Sequence, residues 1–144
     1  MERRQFVTAI GALAAATAAT GTLAAEDPHA HHHGGGKYKA LFESSTHCVA
    51  AGEDCLRHCF EMLAANDASM GACTKSTFDV VAACKALASL AGTNSSLTPA
   101  FAKAVNEACL ACKKECDKFP NIAECKACGD ACKACADECQ KVAA

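Results

Sequence analysis

The sequence predicts an all-α protein, an antiparallel up-down four-helix bundle with a cysteine-lined core. Three observations carry this reading. Thirteen cysteines stand among 144 residues, most of them three, four or seven apart. From Tyr38 onward the chain reads as four helical windows of similar length. The breaks between them are short, and short connections make neighbouring helices antiparallel. Val80-Val81 is the one β-branched pair in a long helical window, and no strand signal competes.

Residues 1–25 read as an export signal. Arg3 and Arg4 stand just before Phe6 and Val7, and an Ala/Thr/Gly run follows from Ala9. Thr22, Ala24 and Ala25 offer small residues for cleavage. The paired arginines and the weak hydrophobicity indicate the twin-arginine route to the periplasm or another membrane-exterior compartment. The run is too rich in Ala, Thr and Gly to span a membrane, so the mature chain is expected to have no span. Export of a prefolded chain fits the cysteine content, because unfolded thiols in an oxidising compartment would scramble into disulfides.

Residues 26–37 form a flexible leader rich in His and Gly. Pro28 and Gly34-Gly35-Gly36 mark the flexibility. His29, His31, His32 and His33 are weak candidates for a borderline metal and equally a plain leader.

The bundle itself occupies 38–144. Its first helix is predicted over 39–65, broken by Asn66-Asp67, with Asp67 as N-cap of the second. The second runs over 68–91 and stops at Gly92, expected at C′. Thr98 caps the third helix, with Pro99 at the first helical position. That helix runs to about Lys118. Phe119-Pro120-Asn121 is a break, and the fourth helix runs from Pro120 or Asn121 to Val142.

Each helix carries a stripe of sulfur. The first has Cys48, Cys55 and Cys59 within roughly 40° of arc. The second has Cys73 and Cys84, roughly 20° from eclipsed. Cys109, Cys112 and Cys116 share roughly 60° on the third, and Cys125, Cys128, Cys132, Cys135 and Cys139 roughly 80° on the fourth. A bundle has one inside, so all four stripes are expected to face it. Phe42, Val49, Leu56, Phe60 and Leu63 lie off the sulfur line of the first helix and are expected in helix–helix or subunit contacts.

Inert core is a poor account of thirteen cysteines on one set of faces, because Leu, Ile or Val fill a core better. Disulfides between adjacent turns close tiny loops and add little stability, and an odd count leaves one thiol over. Metal binding remains. Cys55/Cys59, Cys112/Cys116, Cys128/Cys132 and Cys135/Cys139 are Cys-x-x-x-Cys pairs, each able to clamp an ion between thiolates of consecutive turns. Zinc takes four ligands in discrete closed sites, and iron–sulfur clusters use loop-borne cysteine runs absent here. Cu(I) takes two or three thiolates and tolerates bridging sulfur, which suits a continuous lining. Shared thiolates allow roughly one Cu(I) per cysteine.

The first and third connections fall at one end of the bundle. That end collects Met62, Met70, Cys59, Cys73, Cys116 and Cys125, with His58 one turn below Met62. Neutral thioether and imidazole ligands suit a mouth from which Cu(I) can leave. Gap-filling is the bland alternative for the methionines, and a solvated face for His58. His47 points away from the sulfur line and receives no role.

With its twin-arginine leader, four helices and inward Cys-x-x-x-Cys pairs, the chain resembles the bacterial copper storage proteins, in particular the exported type of methane-oxidising bacteria. The similarity spans the mature chain. It implies a homotetramer of four-helix bundles, each storing many Cu(I) ions on the thirteen core thiolates. It further implies supply of copper to a cuproenzyme such as particulate methane monooxygenase. The mouth ligands of that family, one histidine and two methionines, fall on His58, Met62 and Met70 of this sequence.

Two other classes stay open: a metallothionein-like zinc or copper detoxification buffer, and a thiol redox or electron-transfer protein using Cys109/Cys112 or Cys125/Cys128. A thioredoxin-like enzyme needs a βαβ context that this sequence lacks. No Ser/His/Asp arrangement suggests an enzyme. The net charge of −2 and the want of a basic patch argue against nucleic acid.

Overall fold

The computed structural model describes residues 36–143. The predicted export signal, with Arg3 and Arg4, and the histidines His29, His31, His32 and His33 of the predicted leader lie outside the described residues. Four helices follow in order: α1 Lys39–Ala64, α2 Gly71–Gly92, α3 Thr98–Cys116 and α4 Ala123–Val142. α1 packs on α2 and α4, and α3 on α2 and α4, so the helices form a ring in chain order. The expected all-α bundle is what the described residues form.

The connections differ in detail from the sequence reading. Asp67 does not cap α2. Asn66 adopts φ 62°, the left-handed conformation that ends a helix. This lets the Asn66 and Asp67 amides donate to the Leu63 and Met62 carbonyls at 3.0 and 2.9 Å. The Asp67 carboxylate accepts from the Ser69 amide at 2.8 Å, so it ties a turn within the connection. α2 therefore starts at Gly71, three residues later than expected.

Gly92 is likewise not the C′ residue. Asn94, at φ 52°, takes that place. The Asn94 and Ser95 amides close onto the Ala91 and Leu90 carbonyls at 3.1 and 2.9 Å. Thr98 lies inside α3 as its first residue, behind Leu97 at the cap, and Pro99 comes second. α3 ends at Cys116, where the Phe119 amide donates to the Cys116 carbonyl at 2.9 Å. Ile122 is extended, and α4 begins only at Ala123. In each case a local turn wins the backbone amides that longer helices would have used.

The core has two parts. At the end built by the second connection it is hydrocarbon: Leu41, Leu87, Ala91, Ala102 and Val105 are buried, with Tyr38 over them. From there to the other end the buried side chains are chiefly cysteine. All thirteen cysteines are buried. The expectation that the four sulfur stripes turn inward holds. On α1, α2 and α3 the turns at the end of the second connection carry hydrocarbon, apolar area that thiols do not supply, while α4 keeps sulfur there in buried Cys139.

Gly52 sets the α1–α2 spacing. A β-carbon there would stand 2.5 Å from Val81 Cγ2, so the valine fills the space a side chain would need. The outer faces carry exposed Lys–Asp and Lys–Glu pairs one turn apart, such as Lys75–Asp79 at 3.0 Å and Lys126–Asp130 at 2.6 Å. Lys85–Glu53 at 2.6 Å joins α2 to α1. Such exposed pairs add little to stability, because solvent and salt screen them. Of the apolar residues off the sulfur line of α1, Leu56 is buried and Val49 packs on the core. Phe42, Phe60 and Leu63 remain exposed. Among the described residues no helix is long and apolar enough to cross a membrane.

Candidate metal centre

Helix period explains the lining. Residues three and four apart share a face, so each Cys-x-x-x-Cys pair presents two sulfurs from consecutive turns to the axis. Packing then brings the stripes together. Cys55 meets Cys125 at 3.9 Å and Cys48 meets Cys132 at 3.7 Å between α1 and α4. Cys73 meets Cys116 at 3.9 Å, and Cys84 meets Cys109 at 4.0 Å, between α2 and α3. Cys112 meets Cys128 at 3.9 Å between α3 and α4. Cys84 reaches across the bundle to Cys135 at 3.9 Å. Within one helix, Cys112 and Cys116 lie 4.0 Å apart.

These separations are van der Waals contacts between thiols, about twice a disulfide bond. Every cysteine is free. The sulfurs gather into groups whose atoms lie within 4.8 Å of one another: Cys48, Cys84, Cys109 and Cys135; Cys55, Cys59 and Cys73; Cys55, Cys116 and Cys128; Cys112, Cys128 and Cys132. Cys55 and Cys128 each belong to two groups, which links three of the four. The contact of Cys48 with Cys132 at 3.7 Å joins the remaining group to them.

Sequence reasoning missed two hydroxyls in this lining. Thr77 Oγ1 stands 3.5 Å from Cys112 Sγ, 3.9 Å from Cys73 Sγ and 4.0 Å from Cys55 Sγ. Ser45 Oγ stands 3.7 Å from Cys135 Sγ. Both residues are fully buried. The signal was present: Thr77 follows Cys73 by four and Ser45 precedes Cys48 by three, both on the sulfur face. Thr77, with Gly52 and Val81, also interrupts the sulfur of α1 and α2 at mid-depth. The wall of α3 and α4 runs on past that level through Cys112, Cys128 and Cys132.

The thiols polarise one another. Hydrogen bonds from Cys109 and Cys132 lead in pushing Cys48 down to about 5. Cys55 is pushed down by Cys116, Cys128 and Cys73, and Cys112 by Cys116, Cys128 and Cys132. Cys135 is pushed down by Cys109, Cys139, Cys48 and Cys84. The partners that hold the protons move the other way. Cys116 is pushed up because its proton is shared with Cys112, Cys128, Cys55 and Cys73. Burial pushes Cys59 up to about 12 and also raises Cys125. The thiolate is the form that ligates metal, so an ion binding here displaces thiol protons.

At the end made by the first and third connections, Met70 is buried among the cysteines, and Met62, Phe119 and Ile122 pack against them. Met62 and Met70 are thus brought to the sulfur lining as the spacing predicts. His58 is half-buried, and its Nε2 is buried with no hydrogen-bond partner. That nitrogen is an uncommitted buried donor or acceptor, which is uncommon in a folded protein. None of the four sulfur groups includes it. His47 is exposed.

Fold and lining together define a helical-bundle container whose inside is thiol, a chemistry suited to soft metal ions. Residues 35–144 match the family described as Csp, copper storage protein, and the chain belongs to it. Two solved structures are similar. One is a Cu(I)-bound copper storage protein, BsCsp3, at 25% identity, with a TM-score of 0.66; it covers 75% of this chain and 100% of its own. The other is apo copper storage protein 3 from Bacillus subtilis, at 26% identity, with a TM-score of 0.65; it covers 74% of this chain and 98% of its own. No curated protein matches.

Proposed function

We propose that this protein stores Cu(I), many ions per chain, on its thirteen core cysteines. The observation that carries the reading is the linked set of free, buried sulfurs in contact along the bundle. Cu(I) accepts two or three thiolates, so one sulfur can serve two ions and the groups can fill together. Membership of the copper storage family and likeness to a Cu(I)-bound relative support the same reading. A titration tests it. The reduced protein, held without oxygen, competes for Cu(I) with a chromophoric chelator. Retention approaching roughly one ion per cysteine is expected. Retention of about four ions or fewer would defeat storage and favour discrete closed sites.

The finer parts of the proposal have their own support. Arg3 and Arg4 ahead of a weakly apolar run support export by the twin-arginine route. Loss of export when both are changed to Lys checks it. Exposed Phe42, Phe60, Phe78, Phe101 and Leu110 support a homo-oligomer, a tetramer by resemblance, which sedimentation measures. His58, Met62 and Met70 form the mouth, supported by the orphan Nε2 of His58 and by the place of both methionines at the sulfur lining. Delivery to a cuproenzyme such as particulate methane monooxygenase rests on the resemblance. Transfer of copper from the loaded protein to the copper-depleted enzyme tests it.

A further inference from the structure

We propose that Cys48, Cys84, Cys109 and Cys135, in the copper-free protein, form a site for one tetrahedral divalent ion of the zinc class. Each of the four helices supplies one of these sulfurs. All four lie within 4.8 Å of one another. Four thiolates around zinc, with bonds of about 2.3 Å, stand about 3.8 Å apart along every edge of the tetrahedron. Cys84 already lies 4.0 Å from Cys109 and 3.9 Å from Cys135. Two of the edges are thus near the tetrahedral edge length without an ion, and the others, within 4.8 Å, close by small side-chain movements.

The surroundings suit a closed structural site. All four residues are fully buried. Val80, Leu87 and Val105, one turn away on α2 and α3, are buried hydrocarbon. A sulfur from outside the four, that of Cys132, also meets Cys48, at 3.7 Å, and groups with Cys112 and Cys128. Ser45 Oγ, 3.7 Å from Cys135 Sγ, is placed to donate to a bound thiolate as an outer partner. A divalent ion here ties all four helices together at one level. It also occupies thiols that would otherwise be free to oxidise before copper arrives.

Cobalt(II) reports such a site directly, because tetrahedral thiolate coordination gives intense visible bands and sulfur-to-metal charge transfer. The reduced full chain is titrated with Co(II) without oxygen, then with Zn(II). The expected result is one Co(II) per chain with the tetrathiolate spectrum, abolished by an equal amount of Zn(II). Cys84→Ser should weaken Co(II) binding by more than the roughly 10–100-fold that loss of an outer partner costs. Cys59→Ser, outside the four, should leave it within about twofold of the parent. Cys135→Ser repeats the first test should Cys84→Ser lose its helicity. A weak octahedral spectrum, such as the leader histidines would give, overturns the proposal, as does equal loss in Cys59→Ser. Copper capacity is read on the same samples. Many Cu(I) ions retained without a cobalt site would leave storage standing and remove only this inference.

Discussion

The two ends of the bundle are built from different materials. Where α1 begins and α2 ends, Leu41, Leu87, Ala91, Ala102 and Val105 close the inside with hydrocarbon under Tyr38. Where α1 ends and α2 begins, the inside is Cys59, Cys73, Cys116 and Cys125 with Met62 and Met70. A thiol buries less apolar area than a leucine, so the first end supplies fold stability out of proportion to its length. The second end gives up that area for ligand atoms. The contrast weights folding toward one end and cargo toward the other, with Cys139 of α4 carrying sulfur into the first.

Four substitutions, with Met70→Leu as a comparison for the first, test that division in falling order of effect. Leu87→Ala, at the hydrocarbon end, should cost about 2–5 kcal/mol, since the site is fully buried and a cavity is left. Denaturant unfolding of the reduced, metal-free protein measures it, and copper capacity of the folded fraction should not change. An equal loss from Met70→Leu at the other end would erase the contrast. Gly52→Ala should cost about 1–2 kcal/mol: overpacking against Val81 is worth about 1–3 kcal/mol, and the helix propensity of alanine returns up to about 1 kcal/mol.

Thr77→Val is expected to cost about 0.5–1.5 kcal/mol, the worth of one buried hydrogen-bonding group. Its sharper readout is the titration of the neighbouring thiols, because Oγ1 faces Cys55, Cys73 and Cys112. Followed by thiolate absorbance, that titration should shift upward in pH as a donor to thiolate is lost. An unchanged curve would reduce Thr77 to packing. Met62→Leu should alter stability least, by less than about 1.5 kcal/mol. It should leave copper capacity unchanged while shifting the rate at which a chelator removes Cu(I). A large fall in capacity would place Met62 among the storage ligands instead of the mouth.

Most of the site was legible before the fold was seen. A spacing of three and four, repeated in Cys125, Cys128, Cys132, Cys135 and Cys139, can only line one face of a helix, and four such stripes share one interior. The hydroxyls of Ser45 and Thr77 follow the same period, but a serine or threonine on a helix face carries no metal signal of its own. The helix ends were less legible. Asp67 and Thr98 are good caps by type, and Gly92 a good stop. The chain instead turned at Asn66 and Asn94, whose side chains tolerate the left-handed conformation. Several local turns of similar energy competed there, and packing of the flanking helices chose among them.

By itself the sequence determined that this protein has four helices, that each carries sulfur on one face, and that the sulfur is metal-binding in kind. These follow from periodicity and from the chemistry of the thiol, which are local properties. Only the tertiary structure decided which sulfurs meet. It placed Cys84 against Cys135 across the bundle, set Thr77 among three cysteines, and left His58 Nε2 buried and unpartnered. It also divided the inside into a hydrocarbon end and a sulfur end. Those outcomes depend on the axial offset and rotation of each helix against its neighbours. Gly52 and Val81 help set that offset by contact, and residues so far apart in the chain encode it only jointly.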